Sequence, residues 1–267
     1  MTGDLHCHSY YSDGYFSPAE VVKKAKAAGC EVMSLTDHDA LGGTSEAENA
    51  ARTLGVKFIR GVEISAYDGM DVHILGYGID THSPRFKDFL RKQQTYRRER
   101  ARIMIEKLSH YGITFPDGTF DFCVEREISR SHIADAIFRC GYEPDFTTAF
   151  NKWCRYDSPT YVNTYGTLPR AAIEEIHAAG GLSVLAHPMR LALKGDELTD
   201  YIKKIASFGV DGIEAVYRST PTDETENYVR LAKSLGIFYT AGNDFHGFNN
   251  QIIPRELTCE KLLNLAK

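Results

Sequence analysis

Short apolar runs rich in β-branched and aromatic residues alternate along the chain with stretches whose apolar positions recur every three or four residues. The first pattern predicts strands and the second amphipathic helices. Residues 3–8 read as a first strand. Ser17-Pro18-Ala19-Glu20 then offers an N-cap serine, a proline suited to the first helical turn and a glutamate placed to close a capping box, so a helix is expected as far as Gly29. Further strands are expected at 31–38, 56–65, 72–79, 182–187, 212–217 and 238–244. Helices fall between them: one opened by a capping box of Ser45 with Glu48 and ending near Gly55, then 168–179, 197–208, 223–235 and a C-terminal segment. Strands separated by helices imply parallel pairing, and seven or so of them point to an α/β barrel or a close relative.

The centre breaks the alternation. From Ser83 to about Trp153 the pattern is helical, at 83–111, 131–140 and 145–154, with almost no strand signal. The expected organisation is therefore a barrel in two parts, 1–82 and 161–267, with a helical insertion at 83–160 capping one end.

Composition adds limits. The 267 residues are 43% apolar and 25% charged, as in ordinary globular proteins. A net charge of −5 argues against wholesale capture of duplex DNA or an anionic membrane. No apolar run reaches the roughly 18 residues of a bilayer span, and the first residues lack a signal-peptide pattern, so a soluble, cytoplasmic protein is expected. The six cysteines form no Cys-x-x-Cys pair and are expected to be reduced. The charge is unevenly spread: between Arg85 and Lys107 nine basic residues face three acids, so +6 sits on one helical segment and −11 on the remainder. A charge run of this kind is most often a solvated helix face.

Histidine carries the chemistry. His6 and His8 stand two apart on the first predicted strand and so share a face. Asp13 follows in the next loop. Thr36-Asp37-His38-Asp39, Gly61-Val62-Glu63, Asp71-Val72-His73 and Asn243-Asp244-Phe245-His246 place more imidazoles and carboxylates at strand ends. In an α/β barrel those ends converge on one rim, the usual place for an active site. Burying so many polar groups together costs several kcal/mol unless a cation compensates them, so a multinuclear metal site is expected. There is no phosphate loop, nucleophile elbow, His-Glu-x-x-His helix or dinucleotide glycine motif to suggest other chemistry.

Asp4-Leu5-His6-Cys7-His8-Ser9, Thr36-Asp37-His38-Asp39, Gly61-Val62-Glu63, Leu185-Ala186-His187-Pro188 and Gly242-Asn243-Asp244-Phe245-His246 resemble the motifs of the PHP (polymerase and histidinol phosphatase) superfamily, although the family usually has serine at the place of Asn243. Arg97-Arg98-Glu99-Arg100-Ala101-Arg102 and Ile128-Ser129-Arg130-Ser131-His132-Ile133-Ala134 are similar to the branch of nucleoside 3′,5′-bisphosphate phosphatases and 5′-to-3′ exoribonucleases. The resemblance implies a distorted seven-stranded (β/α) barrel with a helical cap and three divalent metals (manganese, iron or zinc). It implies His6, His8, Glu63 and Asp244 at the first metal; Asp13, His38 and His246 at the second; and Glu63, His73 and His132 at the third. The nucleophile would be a metal-activated water held by Asp13, His38, His246 and Asp244. His187 would either join the second metal or contact phosphate.

Arg130, Arg97 and Arg98 have the planar donors that match phosphate, with Arg102 a weaker candidate. Tyr96, Tyr111, Phe120 and Phe122 sit at helical spacing and are expected in a core rather than stacked on a base. Tyr217 and Arg218 are candidate substrate contacts, with Glu214 expected behind the ligands. The expected activity is release of phosphate from a small nucleotide, chiefly the 3′-phosphate of a nucleoside 3′,5′-bisphosphate, and trimming of short RNA from its 5′ end. The alternatives are a histidinol-phosphate phosphatase, against which a basic cap argues, and a non-catalytic metal- or nucleic-acid-binding module.

Overall fold

The computed structural model describes residues 1–121, 128–163, 166–218, 220–247 and 251–266. The strands are β1 (Thr2–Cys7), β2 (Val32–Leu35), β3 (Lys57–Tyr67), β4 (Asp71–Tyr77), β5 (Leu182–Leu185), β6 (Gly212–Tyr217), β7 (Phe238–Gly242) and β8 (Arg255–Glu256). They make one eight-stranded sheet in the order β7-β6-β5-β4-β3-β2-β1-β8. Just beyond β7 the chain turns back to β1: His8 N–H donates to Phe245 C=O (2.8 Å) and Phe245 N–H to His6 C=O (3.1 Å), so the barrel nearly closes.

Two expectations change. The sheet has an eighth strand, the short β8, which runs antiparallel beside β1 where only a terminal helix was expected. And β4 is antiparallel to both β3 and β5. No helix separates β3 from β4; a tight turn at Asp68-Gly69-Met70 does, with Gly69 at φ 75°, and a connection that short can only return the strand antiparallel.

The helices are α1 (Pro18–Ala27), α2 (Thr44–Leu54), α3 (Pro84–Ser109), α4 (Arg130–Arg139), α5 (Phe146–Ala149, continued by a π-turn to Cys154), α6 (Pro169–Ala178), α7 (Gly195–Ser207), α8 (Thr222–Leu235) and α9 (Glu260–Leu263). α1 starts as its sequence dictates: Ser17 Oγ accepts from Glu20 N–H and Glu20 returns the bond to Ser17 N–H. Such a cap contributes about 1 kcal/mol. The capping box expected at Ser45 does not form, because the N-cap of α2 falls two residues earlier, on Gly43, and Ser45 lies inside the first turn.

Val21, Val22 and Ala25 of α1 pack with Ala47 and Ala51 of α2 against β1 and β2. α6, α7 and α8 cover the other side of the barrel with Ile173, Ile176, Ile202, Ile205 and Ala232. α3 divides between two cores. Its first turns bury Phe86 and Leu90 on the barrel, whereas Ala101, Met104 and Leu108 join a separate cluster with Ile133, Ile137 and Trp153. Inside the barrel, Leu75 and Tyr77 share a face with His73 and pack with Leu5, Ile59, Val184 and Ala241, giving the polar rim an apolar floor.

Candidate metal centre

Strand ends supply the rim. His6 is on β1 and His8 just past it; His38 follows β2; Glu63 and His73 face each other from β3 and β4; Asp244 and His246 follow β7. The chain leaves several strands through a left-handed turn, with Asp39 at φ 50°, His187 at 25° and Asp244 at 51°. Asp tolerates that region; a histidine there is strained and must be held by its surroundings. His187 is held: its N–H donates to Glu214 Oε2 (2.8 Å) and its Nε2 meets Glu63 Oε1 (3.0 Å).

Three groups of donor atoms result, each within 4.8 Å of one another: His8, Asp13, His38 and His246; His6, His8, Glu63 and Asp244; and His38, Glu63 and His73. Glu63 Oε2 lies 3.1 Å from both His6 Nε2 and His8 Nε2 and 3.2 Å from His38 Nδ1. Despite these distances His6 Nε2, His8 Nε2, His38 Nδ1, Glu63 Oε2 and Asp13 Oδ1 are buried without a hydrogen-bond partner. Five such atoms would be costly if they had only each other. Donors about 2.1 Å from one ion and at right angles to each other stand about 3 Å apart, so the spacing and the mixed N/O donor set fit divalent metal.

A supporting layer fixes the ligands. Glu214 accepts from His6 Nδ1 (3.0 Å), leaving Nε2 to face the rim. Asp37 accepts from Ser9 N–H, Ser9 Oγ and Ser12 Oγ, each at 2.7 Å, and Ser12 Oγ meets His8 Nδ1. Asn243 donates through Nδ2 to Asp4 Oδ2 (2.7 Å) and to the Ile253 carbonyl. Gly242 leaves the room this needs, since a Cβ there would lie 2.4 Å from both Glu214 Oε1 and His6 Cβ.

The electrostatics favour positive charge at the rim. Burial opposes protonation of His8, yet Asp244 and Glu63 beside it raise it to about 10. Burial likewise opposes ionisation of Glu63, but His38, His6 and His73 hold it well below the usual carboxylate range. Asp13 is held low by His246 and His38 against the same desolvation. Each carboxylate is thus an anion poised beside imidazole nitrogens.

His132 does not join the three groups. Its Nδ1 accepts from Ser129 N–H (3.1 Å), closing a capping box at the start of α4. His38 and His187 stand by Glu63 and His73 instead.

The rim opens into a cavity of about 1090 Å³ lined, among the described residues, by Arg97, Arg100, Arg130, Arg155, Arg190 and Arg218 against Asp13, Asp71 and Asp244. Of the nine basic residues at 85–107, only Arg97 and Arg100 reach it. Arg98 is exposed on the far side of α3 and is not a cavity residue; Arg85, Arg91 and Arg102 pair with surface carboxylates. Arg97 is already engaged, by Asp39 Oδ2 and Ser65 Oγ, so it braces the rim. Arg130 and Arg100 converge on one carboxylate, Asp71 Oδ2, at 3.2 and 3.3 Å, with the Tyr161 ring beneath both.

Tyr217, expected at the substrate, instead donates to Asp244 Oδ2 (3.1 Å). Tyr96 and Tyr111 are exposed and away from the cavity, Phe120 packs on the α3–α4 core, and Phe122 lies outside the described residues. Sequence reasoning missed Arg100 and Arg190. Arg100 was one basic residue in a crowded run, and Arg190, three past His187, stood beside a motif already noted.

This barrel, with divalent-metal donors at its strand ends and an arginine-lined cavity above them, belongs to the class of metal-dependent phosphoester hydrolases. A PHP domain matches residues 4–113. A 3′,5′-nucleoside bisphosphate phosphatase of Chromobacterium violaceum is 36% identical over 91% of this chain and 86% of its own, and a 5′-3′ exoribonuclease of Haemophilus influenzae is 34% identical over 91% and 89%. The chain belongs to the PHP family. A solved structure described as an amidohydrolase from Chromobacterium violaceum, with bound sulfate and no metal, superposes with a TM-score of 0.91 at 33% identity, covering 99% of this chain and 96% of that one. Among the described residues no helix is long and apolar enough to cross a membrane.

Proposed function

We propose that this PHP enzyme removes the 3′-phosphate of nucleoside 3′,5′-bisphosphates and, by the same chemistry, trims short RNA from its 5′ end. The observation that carries this reading is the pairing of two anion sites. Asp71 precedes His73 by two residues on β4, about 7 Å along the strand and on the same face. Two guanidiniums converge on that one carboxylate, one short step from the rim. A phosphate at the rim and a second at Arg100 and Arg130 would be separated by the length of a sugar, as on a single nucleotide. The names of the bisphosphatase and exoribonuclease relatives support the same substrate class.

In this reading His6, His8, Glu63 and Asp244 hold one divalent ion, Asp13, His38 and His246 with His8 a second, and Glu63, His73 and His38 a third. When bound, such ions supply an activated water and neutralise the phosphoryl oxygens. The protein's own groups do the rest. Glu214 keeps the His6 Nε2 lone pair turned inward, Arg130 and Arg100 fix the remote phosphate, and His187 reaches the reacting end from the cavity wall. The segment 83–160 acts as a cap, bringing these arginines over the barrel mouth, in a protein that works in the cytoplasm.

Six cavity arginines count against histidinol phosphate, whose amine is cationic. The buried, unpartnered donors of the rim count against a purely binding module. Protein loaded with manganese should release phosphate from adenosine 3′,5′-bisphosphate faster than from histidinol phosphate. The reverse order, or no release from any nucleotide in a panel, overturns the proposal.

A further inference from the structure

Asp244 uses its two oxygens differently. Oδ1 faces the rim, 3.5 Å from His6 Nε2, 3.3 Å from His8 Nε2 and 3.4 Å from His246 Nδ1. Oδ2 points the other way and is occupied: Arg190 Nη1 donates to it at 2.5 Å and Tyr217 OH at 3.1 Å, while Arg190 also donates to the Tyr217 oxygen at 3.3 Å. Three groups thus close a ring of hydrogen bonds on the outer oxygen.

The ring is anchored. Arg190 ends the short 3-10 turn after β5, whose N-cap His187 is tied through its N–H to Glu214, and Arg190 N–H donates back to the His187 carbonyl (2.9 Å). Tyr217 is buried at the end of β6, which fixes its OH against Asp244 Oδ2. The Arg190 side chain is half-exposed where it borders the cavity, so its position is set by its partners rather than by enclosure.

We propose that Arg190, with Tyr217, is a positioning residue that reserves Asp244 Oδ2 and so limits Asp244 to a single donor atom toward the metal. This rests on the reading of the rim as a metal centre. A carboxylate offering one oxygen leaves a place at the ion for water or a phosphoryl oxygen. With Oδ2 released, the same carboxylate can present both oxygens and fill that place.

Arg190→Met, Arg190→Lys and Tyr217→Phe test this through bound manganese, counted by metal analysis, and through water-proton relaxation, which reports the exchangeable waters on it. Wild-type protein should bind manganese with several exchangeable waters. Arg190→Met should lose about one, with turnover down about 10- to 100-fold, the range typical of groups that orient a ligand. Arg190→Lys, which can still donate to Oδ2, should restore most of the water count, and Tyr217→Phe should show a smaller loss. Melting curves establish that each variant folds. An unchanged water count in folded Arg190→Met, or a rise in KM alone, overturns the inference while leaving the metal centre standing. Wild-type protein that binds no divalent ion overturns both.

Discussion

The barrel rim and the arginine wall opposite it solve the same problem, holding charge in a partly closed site, in different ways. At the rim, opposite charges interlock: Glu63 alone touches His6, His8, His38, His73 and His187, and His6 and His8 are fixed from behind by Glu214 and Ser12. On the wall like charges crowd, with Arg100 and Arg130 sharing Asp71, and the surplus is open to the cavity. The contrast separates two tasks. In the proposed function the rim holds cations against water, and the wall meets an anion that arrives and leaves.

The largest effect should come from the rim. His8→Ala removes a donor shared by two of the clusters and Asp13→Ala a donor of one, and turnover should fall about 10³-fold or more together with bound metal, as metal analysis beside a phosphate-release assay will show. Arg130→Ala should act on the substrate alone. Loss of one charged hydrogen bond, worth about 1.5–3 kcal/mol, should lower kcat/KM for a 3′,5′-bisphosphate about 10- to 100-fold, with little change for a small monophosphate and none in metal content. Equal losses on both substrates would erase the proposed division.

A sharper contrast lies within two neighbouring residues of α3. Arg97 covers buried Asp39, so Arg97→Ala should cost about 2–3 kcal/mol of stability by denaturant titration, because a buried carboxylate loses its partner. Arg98→Ala should stay within about 0.5 kcal/mol.

A modest, pH-dependent effect lies far from both regions. Burial opposes ionisation of Asp211, but Ser183 N–H, His177 and Lys261 hold it below the usual carboxylate range. The unfolded chain therefore binds more protons at acid pH. The contribution is complete above the unfolded value near about 4 and is lost as pH falls through the lower folded one. Asp211→Asn should cost about 1 kcal/mol at neutral pH, narrowing in acid, as melting curves across pH will show.

The same contrast explains what the sequence could reveal. Rim ligands come from strand ends, where a period of two fixes which side chains share a face, so His6 with His8 and Glu63 with His73 were legible from local spacing and family motifs. The wall is set by helix rotation and loop return. Successive residues on a helix point about 100° apart, which is why Arg97 faces the cavity and Arg98 does not. A basic run carries no such direction until the helix is docked. His132 shows the limit from the other side: its Nδ1 reaches Ser129 N–H within its own turn, a local cap that the motif around it did not reveal. Strand direction departs from the expected parallel pairing at β4, which the tight β3–β4 turn reverses, and at the short β8, which pairs antiparallel beside β1.

In the proposed function, divalent metal held by the rim drives phosphoester hydrolysis. Metal-stripped protein titrated with manganese, while phosphate release from adenosine 3′,5′-bisphosphate is followed, tests it most directly. Release should rise with bound metal and stop when a chelator removes it; turnover by metal-free protein, or none at full occupancy, would contradict the account.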